Sequence, residues 1–239
     1  MKFPIQIIND ILSLIYPDRC VGCGCVLKHG GNVWVCDDCR YHFEIRDYKK
    51  CSKCGRILYH MGKCRVCNSE KQYFDKGHTL FEYKEAVRYG IREFKYKGMF
   101  RYGKFFGELM AEYANKNLKT KFDYVTSVPL HNKRYKSRGY NQSEILAKIV
   151  AKNINSQYKN IIERCINTTP QSKLNKKQRF ENIKGAFNLK SNVCVKDKNI
   201  LIIDDIFTSG STINECSKVL KKNGAGTIEF LTLSCRSED

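Results

Sequence analysis

Eight cysteines stand in four Cys-x-x-Cys pairs: Cys20 with Cys23, Cys36 with Cys39, Cys51 with Cys54, and Cys64 with Cys67. Such a knuckle lets two sulfurs meet one ion from a tight turn, and eight thiolates are enough for two tetrahedral Zn²⁺ sites. Gly22, Gly24 and Gly55 suit turns of that kind. Pairing in sequence order gives the first four cysteines one ion and the last four another. The spacing also leaves open an interleaved pairing, or the exchange of Cys25, His29 or His60 into a ligand position. Four thiolates close the coordination shell and leave no place for a substrate, so the zinc is expected to be structural. A module of about 50 residues has little core of its own, and metal binding would supply most of its folding energy. The bland alternative is an assortment of free or redox thiols.

A second chemistry lies in residues 199 to 213, NILIIDDIFTSGSTI. The run from Ile200 to Ile203 reads as a buried parallel strand, and the carboxyl end of such a strand is where open α/β sheets bind ligands. Asp204 and Asp205 follow at once, placed to accept hydrogen bonds from the hydroxyls of a sugar or to hold hydrated Mg²⁺. Then come Thr208, Ser209, Gly210, Ser211 and Thr212, ahead of an expected helix. Their amides can converge on one phosphate at the positive helix end, their hydroxyls add donors, and Gly210 permits close backbone approach. The stretch has neither of the two common glycine-rich nucleotide loops. A sugar phosphate fits the layout. The alternatives are a helix-capping acid beside a solvated one, or a bare metal pair.

The elements that would carry these groups alternate along the chain. Residues 77 to 83 read as a strand, 85 to 98 and 101 to 117 as helices, 122 to 130 as a strand with a helix from 143 to 154 behind it. A polar basic stretch from Ser172 to Lys184 follows, then the central strand over 198 to 204, a helix from Ser211 to Lys222 stopped by Asn223-Gly224, and a strand over 227 to 235. Alternation of this kind argues for an α/β fold with a parallel sheet flanked by helices. Nine of the 13 cysteines precede residue 70, which marks a boundary there.

With 239 residues and 42% apolar content the chain can build one medium domain and one small one. Its net charge of +19 points to a polyanionic partner, nucleic acid, phosphorylated substrate or anionic lipid, against the plain alternative of a solvated basic surface. Residues 1 to 70 hold 11 basic and 7 acidic side chains, leaving 32 and 17, or +15, for the remainder. No cleavable signal is evident, so the thiols are expected to be reduced and the protein cytoplasmic. The opening segment is too short and polar to span a bilayer. Its Ile8, Ile11, Leu12 and Ile15 share one helical face, suited to packing on the parent protein.

Asp204-Asp205-Ile206-Phe207-Thr208-Ser209-Gly210-Ser211-Thr212 resembles the phosphoribosyl-pyrophosphate (PRPP) signature of type I phosphoribosyltransferases. Val128-Pro129-Leu130, the basic run behind it, and Arg138-Gly139-Tyr140-Asn141-Gln142 resemble the ComF (ComFC) competence branch of that fold, whose members carry zinc-ribbon knuckles ahead of the transferase-like domain. The resemblance implies an N-terminal helix and double zinc ribbon over 1 to 70 and a phosphoribosyltransferase-like domain over 71 to 239. It implies that residues 208 to 212 hold the 5′-phosphate of PRPP and that Asp204 and Asp205 take the ribose hydroxyls, with Mg²⁺ bridging these and the pyrophosphate. Lys133, Arg134, Lys136 and Arg138, in the loop after the 122 to 128 strand, would face the leaving pyrophosphate. Thr168-Thr169-Pro170-Gln171 and the segment from Gln178-Arg179 to Phe187 match family positions without an assignable role. No acceptor-recognising residue is identifiable.

The family further implies work on incoming single-stranded DNA during natural transformation, alongside a competence helicase. Tyr89, Phe94, Tyr96, Phe100, Tyr102, Phe105 and Phe106 interleave with basic residues as a strand-stacking track would, and equally as a core would. The competing expectation is a conventional salvage or biosynthetic transferase with an incidental basic surface. A scaffold that binds neither ligand is the third.

Overall fold

A computed structural model describes residues 17–27, 33–166, 168 and 176–237. The expected opening helix, His29 and Thr169-Pro170-Gln171 lie outside the described residues. Among the described residues seven strands follow in chain order: β1 (Lys76–Glu82), β2 (Tyr124–Ser127), β3 (Gln157–Tyr158), β4 (Ile162–Arg164), β5 (Phe187–Leu189), β6 (Ile200–Phe207) and β7 (Ile228–Cys235). Five of them make a parallel sheet in the order β1-β7-β6-β2-β3, while β4 and β5 pair antiparallel apart from it. Helices of the same region are α1 (Glu85–Tyr96), α2 (Phe100–Asn117), α3 (Asn132–Arg138), α4 (Gln142–Asn153), α5 (Lys176–Ile183) and α6 (Ser211–Lys222).

Alternate residues of a strand face opposite sides, and the central strand shows why it must be apolar throughout. Leu201 and Ile203 join Leu231 and Leu233 under α1, α2 and α4, against Ile91, Phe94, Phe106, Met110 and Leu146. Ile200 and Ile202 join Ile228 and Phe230 on the other face, against Ile213, Cys216 and Leu220 of α6. All four residues from Ile200 to Ile203 are fully buried.

Three boundaries differ from expectation. Strand β6 runs to Phe207, because Ile206 and Phe207 still pair with Ser234 and Cys235 of β7, so the two acids sit inside the ladder. Strand β2 stops at Ser127, two residues before Pro129, which has no N–H to extend a ladder. The basic run after β2 is the helix α3, capped by the His131 side chain, which accepts from the Lys133 amide, and closed by Gly139 at φ 82°.

The ribbons add side chains to both cores. Val21, Cys39 and Phe43 pack with α1 and α2 on one face of the sheet, whereas Cys54, Ile57, Leu58 and Val66 pack on the other. Gly55, at φ 67°, lies so close to β1 that a Cβ there would sit 2.4 Å from the Gly77 carbonyl oxygen. Of the aromatics weighed as a stacking track, Phe94, Tyr102, Phe105 and Phe106 are buried in the core, while Tyr96 and Phe100 stay 70% and 57% exposed.

Candidate functional site

Each ribbon folds its knuckles back through a single antiparallel bridge, Arg19 with Val26 and Lys50 with Ile57. This gathers Cys20, Cys23, Cys36 and Cys39 into one cluster and Cys51, Cys54, Cys64 and Cys67 into another, with all sulfurs of a cluster within 4.8 Å of one another. The pairing is therefore sequential, not interleaved. Cys23 and Cys36 sulfurs lie 3.7 Å apart and those of Cys54 and Cys64 3.6 Å. A tetrahedron with bonds of about 2.3 Å requires about 3.8 Å between sulfurs. The same amide bond recurs in both: the third cysteine donates to the first, Cys36 N to Cys20 Sγ and Cys64 N to Cys51 Sγ, each at 3.3 Å. N–H groups aimed at sulfur favour thiolate, the form that binds zinc. Two structural zinc ions fit these two closed sets. Cys25 and His60 are exposed and belong to neither cluster.

The second site is a cleft of about 440 Å³ over the carboxyl ends of the parallel strands. Tyr83 enters after β1, Val128, Pro129 and Leu130 after β2, Phe207 and Thr208 at the end of β6, and Arg236 after β7. Asp204 and Asp205 line it. Asp204 Oδ1 accepts from Ser143 Oγ at 2.7 Å and from the Asp205 amide at 3.0 Å. Asp205 Oδ1 meets Lys95 Nζ of α1 at 2.7 Å. Burial, then repulsion from Asp205, push Asp204 up to about 7, against the opposing pull of Ser143 and Lys95. Burial draws Lys95 down, but Asp205 and Asp204 outweigh it and hold the ammonium above the usual lysine range.

Beyond the acids the turn into α6 begins. Gly210 takes φ 82°, and a Cβ on it would lie 2.9 Å from the Phe207 ring. Thr208, Gly210 and Thr212 line the cleft. Ser209 and Ser211 are buried and join their hydroxyls at 2.9 Å, bracing the turn from beneath.

Six cationic side chains line the same cleft, Lys95, Arg134, Arg138, Arg164, Arg179 and Arg236, against the two acids. Arg134 and Arg138 stand one helical turn apart on α3 and face inward. Lys133 and Lys136 on the same helix are exposed and lie outside the lining. Arg134 Nη2 donates to the Thr168 carbonyl at 2.6 Å and Arg164 Nη2 to the Thr168 hydroxyl, so one threonine holds two arginines side by side. Burial, then the charge of Arg134, bring Arg164 down to about 10. Crowded cations of this kind fit a ligand with several negative charges. The acid pair is a hard-oxygen set, but Lys95 neutralises one member. It suits acceptance from sugar hydroxyls, or a hydrated Mg²⁺ carried with the ligand, better than a bare metal ion.

Lys95, Arg164 and Arg236 were not legible as site residues, since each arrives from an element distant in sequence with no motif around it. Ser143 and Arg179 do stand in recognisable segments, Ser143 at the start of the helix expected from 143 and Arg179 without a role. Asn141 caps that helix, its side chain accepting from the Ser143 amide at 3.2 Å.

A family model described as a double zinc ribbon domain matches residues 11–68. The DNA utilization protein YhgH of Escherichia coli O157:H7 is 35% identical over 116 residues, 48% of this chain and 50% of that protein. The chain thus spans about half the length of these relatives. Competence protein F of Haemophilus influenzae is 29% identical, across 83% of this chain and 96% of its own. Competence protein ComFC of Streptococcus pneumoniae is 28% identical, across 83% and 86%. A purine phosphoribosyltransferase from Pyrococcus horikoshii Ot3 superposes on 56% of this chain and 72% of its own at 17% identity and a TM-score of 0.35.

The chain is a parallel α/β protein behind a double zinc ribbon, as its sequence led one to expect. It is a homologue of the ComF (ComFC) competence proteins.

Proposed function

We propose that the cleft binds PRPP and that the protein is a competence-type DNA-uptake factor handling incoming single strands in a reducing cytoplasm. One observation carries the reading: an acid pair inside the central strand, followed after two residues by a phosphate-sized turn, opens on a cleft lined by six cations. Loop 208–212 takes the 5′-phosphate, Asp204 and Asp205 take the ribose hydroxyls, and Arg134 and Arg138 take the pyrophosphate. Magnesium, when bound with PRPP, screens the pyrophosphate charge. Should transfer occur, C1′ becomes cation-like as pyrophosphate leaves, and the acid pair stabilises that charge by position.

The DNA role is supported by the names of the homologues, Competence protein F and DNA utilization protein, and by the exposed rings of Tyr96, beside Arg138 of α3, and Phe100, against Tyr140. Arg138 covers the Tyr96 ring at 5.1 Å, an arrangement that lets a base and its phosphate be met together. A competence helicase is the proposed protein partner. No helix among the described residues is long and apolar enough to cross a membrane.

Calorimetric titration with PRPP and Mg²⁺ tests the cleft. Saturable binding is expected for the natural chain and a loss of at least about tenfold for the Asp204→Ala, Asp205→Ala double variant. Single-strand binding should survive that substitution. A flat titration of the natural chain rejects the PRPP reading.

A further inference from the structure

Arg56 stands two residues past the zinc-cluster residue Cys54 and is 5% exposed. Its guanidinium leaves the ribbon altogether. Nη1 donates to the Arg236 carbonyl at 2.7 Å, Nη2 donates to the Thr208 carbonyl, and the guanidinium carbon lies 5.0 Å from the centroid of the Phe207 ring. Among the described residues no carboxylate forms an ion pair with it. A buried guanidinium without an acid is costly. Here two backbone carbonyls and the face of the Phe207 ring stand where an acid would.

Thr208 is the first residue of the turn proposed to hold phosphate. In a trans peptide the carbonyl and the next N–H point in opposite directions. Fixing the Thr208 carbonyl toward Arg56 therefore turns the Ser209 N–H away from the ribbon. That amide has no acceptor among the described residues. The ribbon's backbone is itself tied to the sheet next to Arg56: Ile57 N donates to Cys235 Sγ at 3.4 Å, and Gly77 N donates to the Lys53 carbonyl at 2.9 Å.

We propose that Arg56 is a positioning residue coupling the second zinc ribbon to the anion-binding turn: by holding the Thr208 carbonyl it fixes the course of the turn whose Thr208, Gly210 and Thr212 line the cleft for a bound phosphate monoester, so affinity in the cleft depends on the Cys51, Cys54, Cys64, Cys67 cluster. The coupling rests on the reading of the cleft as a sugar-phosphate site. It is also reciprocal, since a ligand that favours the ordered turn must favour the closed ribbon by the same factor.

The test uses the full chain with its zinc, ribose 5-phosphate as probe, and the variant Arg56→Lys, which keeps the charge and loses the fork. The variant is expected to retain two zinc ions, to bind ribose 5-phosphate about tenfold more weakly, and to exchange amide hydrogens at 208–212 faster. In the natural chain, saturating ribose 5-phosphate should slow alkylation of Cys51, Cys54, Cys64 and Cys67 and leave Cys20, Cys23, Cys36 and Cys39 unchanged, as mapped by mass spectrometry. A folded variant with unaltered affinity and exchange overturns the coupling while leaving the cleft's reading intact. Should the variant not fold, the alkylation pattern decides alone, and equal rates with and without the sugar phosphate overturn it. Failure of the natural chain to bind ribose 5-phosphate overturns both.

Discussion

Lys95 Nζ lies 2.7 Å from Asp205 Oδ1, with the two side chains only 18% and 10% exposed. A pair this far from water is held by mutual attraction, and removing one partner strands the other charge. Lys95→Met is expected to cost about 3–5 kcal/mol of stability by urea unfolding. Adding Asp205→Asn should restore part of the loss, because the two changes act on one interaction. Additive losses would show that the pair is not coupled.

Asp204 supplies a pH dependence of definite sign. Its folded-state pKa is raised from 3.8 to about 7. Between those values the native chain holds a proton that the unfolded chain has lost, so stability falls as pH rises across the window and levels off above it. Asp204→Asn should flatten that slope in urea midpoints taken on both sides of the window. Binding runs the other way. Sugar hydroxyls need the carboxylate form as acceptor, so affinity for PRPP should climb as pH passes through the upper end of the same range.

The cysteine knuckles and the acid-to-turn segment were legible because their chemistry is local: spacing alone sets which sulfurs share a turn, and one strand delivers both acids to one end. The α6 start at Ser211 was legible for the same reason. What sequence could not supply is the meeting of groups across the fold. Lys95 reaches Asp205 from another element, as Arg56 reaches Thr208, and no pattern around either lysine or arginine announces it. The antiparallel β4–β5 pair has three residues per strand, too short for a periodic signal, and α5 sits in a stretch whose polarity hides its helical period. The basic run after β2 was expected as a loop, yet both its helix caps, His131 and Gly139, were in plain view. As a helix it divides the run, turning Arg134 and Arg138 into the cleft and Lys133 and Lys136 to solvent.

Gly210 should tolerate no side chain. Its φ of 82° is strained for an L-residue, and an added methyl would press the Phe207 ring at 2.9 Å. Gly210→Ala is expected to cost about 1–2 kcal/mol from the backbone conformation alone. It should also weaken ribose 5-phosphate binding, read by calorimetry on the folded fraction. Unchanged stability would mean that the turn adopts another conformation.

Elemental analysis should find two zinc ions per chain, and Cys23→Ser or Cys54→Ser should each remove one. The two losses should differ in consequence. Cys54 is fully buried in the core shared with Phe74 and Phe230, whereas Cys23 is exposed at the rim of its cluster. Either loss loosens a ribbon that packs on the sheet domain, but Cys54→Ser also leaves a hydroxyl in a fully buried apolar site, so it should lower the melting temperature more. Equal melting temperatures would mean that burial of the substituted residue adds nothing to the loss of the ion.

Strand binding separates stacking from charge. Tyr96 and Phe100 are the exposed rings of the aromatic series, and replacing both by alanine should cost about 1–3 kcal/mol per base stacked while leaving the salt slope unchanged. Alanine at Lys133 and Lys136, exposed on the outer side of α3, should do the reverse. For every phosphate that a lysine no longer neutralises, the slope of log affinity against log salt becomes shallower by about 0.7, with little dependence on base identity. Fluorescence anisotropy with a labelled oligonucleotide over a range of salt reads both quantities in one series. If the aromatic variant binds like the natural chain while the lysine variant loses slope, the strand is held by its backbone alone and stacking on these rings is rejected.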